Sequence, residues 1–271
     1  MSVIIDGTNG VSTPNTFAFK NRLINSQLLI NQRGVSGTVT LSAGAYGHDR
    51  FKAGASGCTY TFATSNNVTT LTISAGSLQQ VVEGLNLESG TYTLSWTGTV
   101  QGKFNGGAYS ASGVTGSITG GTNTTVEFNT GTLSLSQLEK GSVATSFDYR
   151  PYGTELSLCQ RYYFKNIQTS TILAEAGFAP STTLFRASTK YPVPMRTAPT
   201  ALEQTGIATD YRVLGAGAST TTCNSVPTFS AATEHIGQTN FPVAAGLTAY
   251  SSGAGSSANT ITAYLGWSAE L

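Results

Sequence analysis

The chain has 271 residues, room for one large β domain or two ordinary ones. Hydrophobic residues make up 39% and charged residues 10%, against roughly 45–50% and 25% in typical soluble domains. With 30 Ser, 42 Thr and a net charge of +1, polarity comes from hydroxyls; this argues against a cytosolic housekeeping enzyme, a charge-driven disordered tail and a nucleic-acid-tracking surface. No apolar run reaches the about 18 residues of a membrane span, and Met1–Asp6 lacks the basic and apolar regions of a secretory signal.

Residues 1–20 are Gly-, Asn- and Thr-rich and read as a short N-terminal attachment segment with little core of its own. Residues 21–150 read as a β domain. Tyr60 with Phe62, Leu71 with Ile73, Val126 with Phe128, and Leu133 with Leu135 alternate at a period of two, as half-buried strands do. Thr91–Thr97 alternates strictly, with Tyr92, Leu94 and Trp96 on the inner face. Turn signals separate these runs at Asn66-Asn67, Ser89-Gly90, Asn105-Gly106-Gly107 and Gly120-Gly121. One interruption, Ser77–Gly84, suggests two helical turns capped by Ser77 and ended by Gly84.

A hinge is expected at 151–156, because Pro151 holds Arg150 extended and Gly153 adds freedom. Thr154–Tyr163 is the best helical stretch, although Arg161–Lys165 reads equally as the start of a strand. Residues 157–271 form the second expected β domain. Tyr191–Pro199 has proline at every second or third position, so it reads as an edge or polyproline segment. Gly215–Ser219 and Ser251–Ser257 read as flexible loops, and Ile261–Trp267 as the last strand. The fold class is therefore all-β, an antiparallel jelly roll or β-sandwich followed by a second β-sandwich.

Chemistry-bearing motifs are scarce. Cys58, Cys159 and Cys223 are too widely spaced for zinc and odd in number, so they read as buried free thiols. No P-loop, HExxH or complete GxSxG is present. Gly253–Ala258 matches a loose GxGxxA without a flanking strand and helix pattern. His48 beside Asp49 has the look of an oriented base, yet neighbours in a strand face opposite ways, so a polar cluster is the better reading. His235 reads as a surface residue. The 4 Asp and 9 Glu form no local pair of the glycosidase kind, although Asp148 or Asp210 paired with a distant Glu remains open. No catalytic residue and no metal ligand is assigned. No cofactor is implied, beyond a structural Ca²⁺ that a β-sandwich can build from carbonyls and one Asp. Tyr109, Tyr211 and Tyr250 lie among Gly, Ser and Thr in apparent loops. A loop tyrosine offers rigid contact area at small entropic cost, so these three are the candidate ligand-binding residues.

Two stretches carry a family resemblance. Asn21–Gly34 with Gly47–Phe51 resembles the pattern N-x-L-I-N, Q-R-G and A-D-R-W that opens a jelly-roll, carbohydrate-binding-module-like domain of bacteriophage tail-fibre and receptor-binding proteins. Phe51 stands where that pattern has tryptophan. Gln137–Tyr163 resembles the signature that closes this module and opens a distal domain. Pro192–Thr200 and Ser268–Leu271 are weaker echoes, while 203–260 resembles nothing.

The resemblance implies a homotrimeric, non-enzymatic virion protein, a tail fibre that adsorbs to a bacterial surface glycan or protein. It implies contact with other tail, baseplate or capsid proteins through the N-terminus. It implies synthesis in the host cytoplasm and release by lysis, with no nucleic-acid partner and no membrane insertion. The family carries over no catalytic set. A purely structural fibre or connector is the alternative, and a depolymerase fits less well, because no β-helix repeat is visible. Gln32, Arg33, Asp49 and Arg50 are expected to form a polar network that pins the first strand. Receptor contact is expected in the stretches at about 204–224 and 237–259, which hold Tyr211 and Tyr250 on a β scaffold.

Overall fold

The computed structural model describes residues 19–167, 172–215, 219–258 and 263–271, and the backbone of 4–6 and 10–12. Strands dominate, and every ladder is antiparallel, so the chain is all-β. Two compact units form, Met1–Leu156 with Leu271, and Ser157–Glu270. Most of the N-terminal attachment segment lies outside the described residues; there β1 (Ile4–Asp6) and β2 (Gly10–Ser12) pair with each other.

The first unit continues with β3 (Val39–Leu41), β4 (Lys52–Ser65), β5 (Val68–Val82), β6 (Gly90–Gly98), β7 (Gly102–Phe104), β8 (Val114–Ile118), β9 (Thr124–Phe128) and β10 (Gly131–Lys140). The long hairpin β4–β5 organises the sheet. The first half of β5 pairs with β10, through Leu71 and Leu133, and its second half pairs with β9, through Leu78 and Phe128. The sheet therefore forks. One branch runs β3-β4-β5-β10-β6-β8, and the other adds β9 and β7. The hairpin register slips between Ala53 and Cys58, opposite Gly76 at φ +71°. A Cβ on Gly76 would stand 2.0 Å from the Gly57 carbonyl oxygen, so only glycine allows this approach. Both branches share one core, where Trp96 of β6 meets Phe128 of β9 edge-on, 5.4 Å between ring centroids. Trp96 also donates Nε1–H to the Val100 carbonyl at 3.1 Å, which satisfies its one polar atom.

The alternation readings hold for Tyr60, Leu71, Ile73, Tyr92, Leu94, Val126, Phe128 and Leu133, all buried. Leu135 departs from its expected face: a bulge between Ser134 and Gln137 breaks the β10 ladder at this residue, which has φ +47°. The expected helix at Ser77–Gly84 is also corrected. Ser77–Val82 is the second half of β5, with Leu78, Gln80 and Val82 buried at a period of two. Pairing on both sides overrides its helix-like caps, and only a 3₁₀ turn at Gly84–Asn86 follows.

The segment before β3 has no regular structure, yet Leu23, Ile24, Asn25, Leu28 and Ile30 are buried. Its backbone groups must therefore find side-chain partners. Asn25 Nδ2 donates to the carbonyls of Ile30 (2.8 Å) and Asp49 (3.0 Å), and its Oδ1 accepts from Ile30 N–H (2.9 Å). Gln80 brackets Ile24, accepting from its N–H at 2.7 Å and donating to its carbonyl at 2.8 Å. Asn21 accepts from the N–H groups of Leu23 and Leu138, and so ties the segment to β10. Buried Asp49 accepts from the Gln32 N–H and Nε2, each at 2.6 Å.

The expected hinge is helical. Helix α1 spans Tyr152–Gln160. Pro151 precedes its first turn, where a missing N–H costs nothing, and its carbonyl accepts from Glu155 N–H at 3.1 Å. Arg150 reaches Glu155 at 3.2 Å and donates to the Leu23 carbonyl at 3.0 Å. The Asn25 N–H also binds Glu155.

The second unit holds β11 (Tyr163–Ile167), β12 (Ile172–Ser181), β13 (Leu184–Lys190), β14 (Tyr211–Gly215), β15 (Thr220–Thr222), β16 (Thr228–Ala232), β17 (Ile236–Pro242), β18 (Ser252–Ser257) and β19 (Tyr264–Ser268). Seven strands form one sheet in the order β15-β14-β18-β12-β13-β17-β16, and β11 pairs with β19. Phe164 of β11 stacks on Trp267 of β19, and both join the core with Phe185, Val213 and Phe241 of the larger sheet. Tyr191–Pro199 forms no strand. The Ser251–Ser257 stretch is not a loop: β18 lies inside the sheet between β14 and β12. A Cβ on Gly255 would stand 2.3 Å from the Phe241 ring, so glycine here makes room for an aromatic. Of Gly215–Ser219, residues 216–218 lie outside the described residues.

Truncating Asn25 to Ala leaves two buried carbonyls and one buried N–H without this partner, at about 1–3 kcal/mol each. The variant is expected to lose at least about 3 kcal/mol of stability, read from its urea midpoint at unchanged m-value.

Candidate functional site

The outward face of the β4-β5-β9-β7 branch carries the best-built polar site. Lys103 and Glu127 are direct cross-strand partners on β7 and β9. Inward-facing Phe104, Val126 and Phe128 flank them, so both charged groups point away from the core. They form an ion pair at 3.3 Å. Ser77 of β5 donates its hydroxyl to Glu127 Oε1 at 2.6 Å. Gly54 on β4 leaves room for that bond, since a Cβ there would sit 2.1 Å from Ser77 Oγ.

Tyr109 closes the site from the connection between β7 and β8. Reciprocal bonds between Gly102 and Ser110, at 2.9 and 3.0 Å, clip that connection to β7. The Lys103 ammonium lies 4.4 Å from the Tyr109 ring centroid, and the phenol hydrogen-bonds Glu127. Burial and Glu127 push the phenol up to about 12, so it stays a donor. Burial also pushes Glu127 up, but bonds from Ser77, Tyr109 and Lys103, with the Lys103 charge, outweigh it and hold the carboxyl below its ordinary range. The result is a groove of about 360 Å³ lined by Ala55, Ser56, Gly76, Ser77, Tyr109, Glu127, Asn129 and Thr130. It offers one immobilised aromatic ring, a fixed carboxylate, an amide and hydroxyls, the groups that stack on and hydrogen-bond a hydroxyl-rich ligand.

Tyr109 is thus the one candidate tyrosine found in a built site. Tyr211 is corrected: it begins β14, is fully buried, donates to the Tyr264 carbonyl at 2.8 Å and accepts from Thr205 N–H at 3.0 Å. A ring enclosed in the core has no face left for a ligand, and burial pushes its phenol up. Tyr250 is 83% exposed at φ +65°, held by its N–H to the Ala179 carbonyl. The expected contact stretches at 204–224 and 237–259 contain strands β14, β15, β17 and β18 as well as the connections between them. Glu127, Ser77 and Lys103 were missed as a group. Alternation around Val126 and Phe128 turns Glu127 outward, but its partners depend on pairing across strands distant in sequence.

A second cavity of about 350 Å³ lies beside Asn25, Gln27, Leu29, Ile30, Asn67, Arg150, Tyr152 and Glu155. Its charged groups are committed to the framework, since Arg150 binds the carbonyls of Leu23 and Asn21 as well as Glu155. Asp148 accepts from Asn21 N–H. Asp210 is buried at a 3₁₀ turn. The three cysteines are buried thiols, and burial pushes Cys58 to about 11 and Cys223 to about 12. Among the described residues no group of three His, Cys, Asp or Glu is placed to hold a metal, and no helix is long and apolar enough to cross a membrane.

His48 belongs to the core. Its Nδ1 meets the Tyr60 hydroxyl at 3.0 Å, and Phe62 covers it edge-on at 4.6 Å. Burial lowers its pKa to about 4. No family model matches the chain, nor does any curated protein or any solved structure.

The His48 shift sets a pH dependence. The native state holds the ring neutral, while the unfolded chain takes up a proton below 6.5. Stability is therefore fully present above pH 6.5 and declines as pH falls towards 4. The expected decline from this group is about 3 kcal/mol at about 1.4 kcal/mol per pH unit. Urea midpoints across that range should show it, and His48→Asn should flatten the profile.

Proposed function

We propose that the chain is a non-catalytic adsorption protein of a bacteriophage tail fibre or similar virion appendage, and that it holds a bacterial surface glycan in the Tyr109 groove. The groove is the observation that carries this reading. Its tyrosine is fixed before any ligand arrives, by Lys103 on one ring face and by Glu127 at the hydroxyl, so little side-chain entropy remains to be lost on binding. Hydroxyl, amide and carboxylate groups surround the ring as a pyranose requires.

The virion context is supported by the resemblance in 21–34, 47–51 and 137–163. We read the first unit as the jelly-roll module, which the forked sheet and long bent hairpin support. We read the second as the distal β-sandwich head and the assembly as a homotrimer. Cross-strand pairing puts Phe178 beside Arg186, Ile236 beside Lys190 and Ile172 beside Ser256, on the face of the large sheet opposite Phe185 and Phe241. These three are exposed large apolar residues, which favours a face covered by neighbouring copies.

Light scattering is expected to give three times the chain mass, and a monomer at micromolar concentration would remove the trimer reading. Purified protein is expected to bind bacterial polysaccharides on a glycan array. Tyr109→Ala should weaken that binding at least about tenfold, or 1.4 kcal/mol, with an unchanged melting curve. Loss on Tyr250→Ala instead would move the receptor site to the second unit.

A further inference from the structure

We infer that the Tyr109 groove selects uncharged sugars against acidic ones, and that Glu127 is the residue that sets this selectivity. The inference rests on the glycan-binding reading above and narrows it to a ligand class. Glu127 and Tyr109 are the only ionisable groups in the groove lining. Lys103, the charge partner of Glu127, lies 3.3 Å from its carboxylate and 4.4 Å from the Tyr109 ring centroid. A ligand stacked on Tyr109 therefore meets the Glu127 carboxylate, whose charge Lys103 offsets only in part from outside the lining residues.

The hydrogen-bond count points the same way. An ionised carboxylate has about four acceptor sites and no proton to donate. Ser77 donates to Oε1 at 2.6 Å and the Lys103 ammonium pairs with Oε2 at 3.3 Å. The acceptor capacity that remains suits a donor, which a sugar hydroxyl or amide supplies. A uronate, sialate or phosphate group at neutral pH supplies none and brings like charge against a partly desolvated carboxylate. The neighbouring donor does not redress the balance: Asn129 Nδ2 is an uncharged amide whose contact to Gln101 Oε1 spans 3.5 Å. Three bonds and the Lys103 charge keep Glu127 ionised, so mild acid does not remove the barrier.

The test is a glycan array of matched pairs, each an acidic bacterial oligosaccharide beside its carboxyl-reduced neutral counterpart. The full-length protein is expected to bind neutral members at least tenfold more tightly than their acidic partners. Glu127→Gln keeps the size and one acceptor oxygen and should bring the two within threefold. Lys103→Met removes the ammonium that offsets the Glu127 charge and should widen the preference. If either variant fails to fold, the ratio for the unsubstituted protein still decides. Equal or tighter binding of the acidic members, abolished by Tyr109→Ala, overturns the selectivity and leaves the groove as the glycan site. Binding to no member of either set overturns the glycan reading itself, and binding indifferent to Tyr109→Ala overturns the Tyr109 groove as the glycan site.

Discussion

The structure depends on a buried stretch of chain that belongs to no strand. Residues 21–30 run through the first unit with their apolar side chains enclosed, and a buried backbone without a ladder leaves its N–H and C=O groups in need of partners. Asn21, Asn25, Gln80 and Glu155 supply them, each bonding main-chain atoms distant in sequence. Short amides suit this work, because one group donates and accepts at once. The cost of omitting any of them is an orphaned polar group in a dry environment. Side-chain bonds here take the place of a missing strand.

The same bonds set how the chain leaves the first unit. Arg150 holds the carbonyls of Asn21 and Leu23, and its partner Glu155 sits in the first turn of α1. A stretch with the composition of a flexible connector is therefore ordered, for its cation and its carboxylate both serve the buried segment. Glu139 extends the pattern, accepting from Gln137 Nε2 and from the N–H and hydroxyl of Thr145. The stretches that resemble a tail-fibre family at 21–34, 47–51 and 137–163 include these framework groups.

Glu127, Ser77 and Lys103 lie on the side of their strands away from the core, and Tyr109 joins them from the connection between β7 and β8. Nothing in the hydrophobic packing demands them, since Val126, Phe128 and Phe104 hold the strands in place from the other face. The sheet serves as a rigid support whose outer face is available for recognition. Two backbone features make that face specific. Gly54 makes space for the Ser77–Glu127 bond, and the Gly102–Ser110 clip fixes the connection that carries Tyr109.

Residue order alone was enough for the β class and for the inward faces of β6 and β9. Each rests on periodicity or spacing within a few residues, where local sterics dominate. Ser77–Val82 carried a local helix signal and became a strand, because β4 and β9 on its two sides supplied ladders that propensity does not count. Ser252–Ser257 had the composition of a loop and became an inner strand, because its glycines meet Phe241 and Leu214 closely. Tyr109 and Tyr211 were indistinguishable in their neighbours along the chain, yet one lines a groove and the other is sealed in a core. Which strands lie side by side, and so which side chains share a face, is decided by contacts far apart in sequence; the groove exists only at that level.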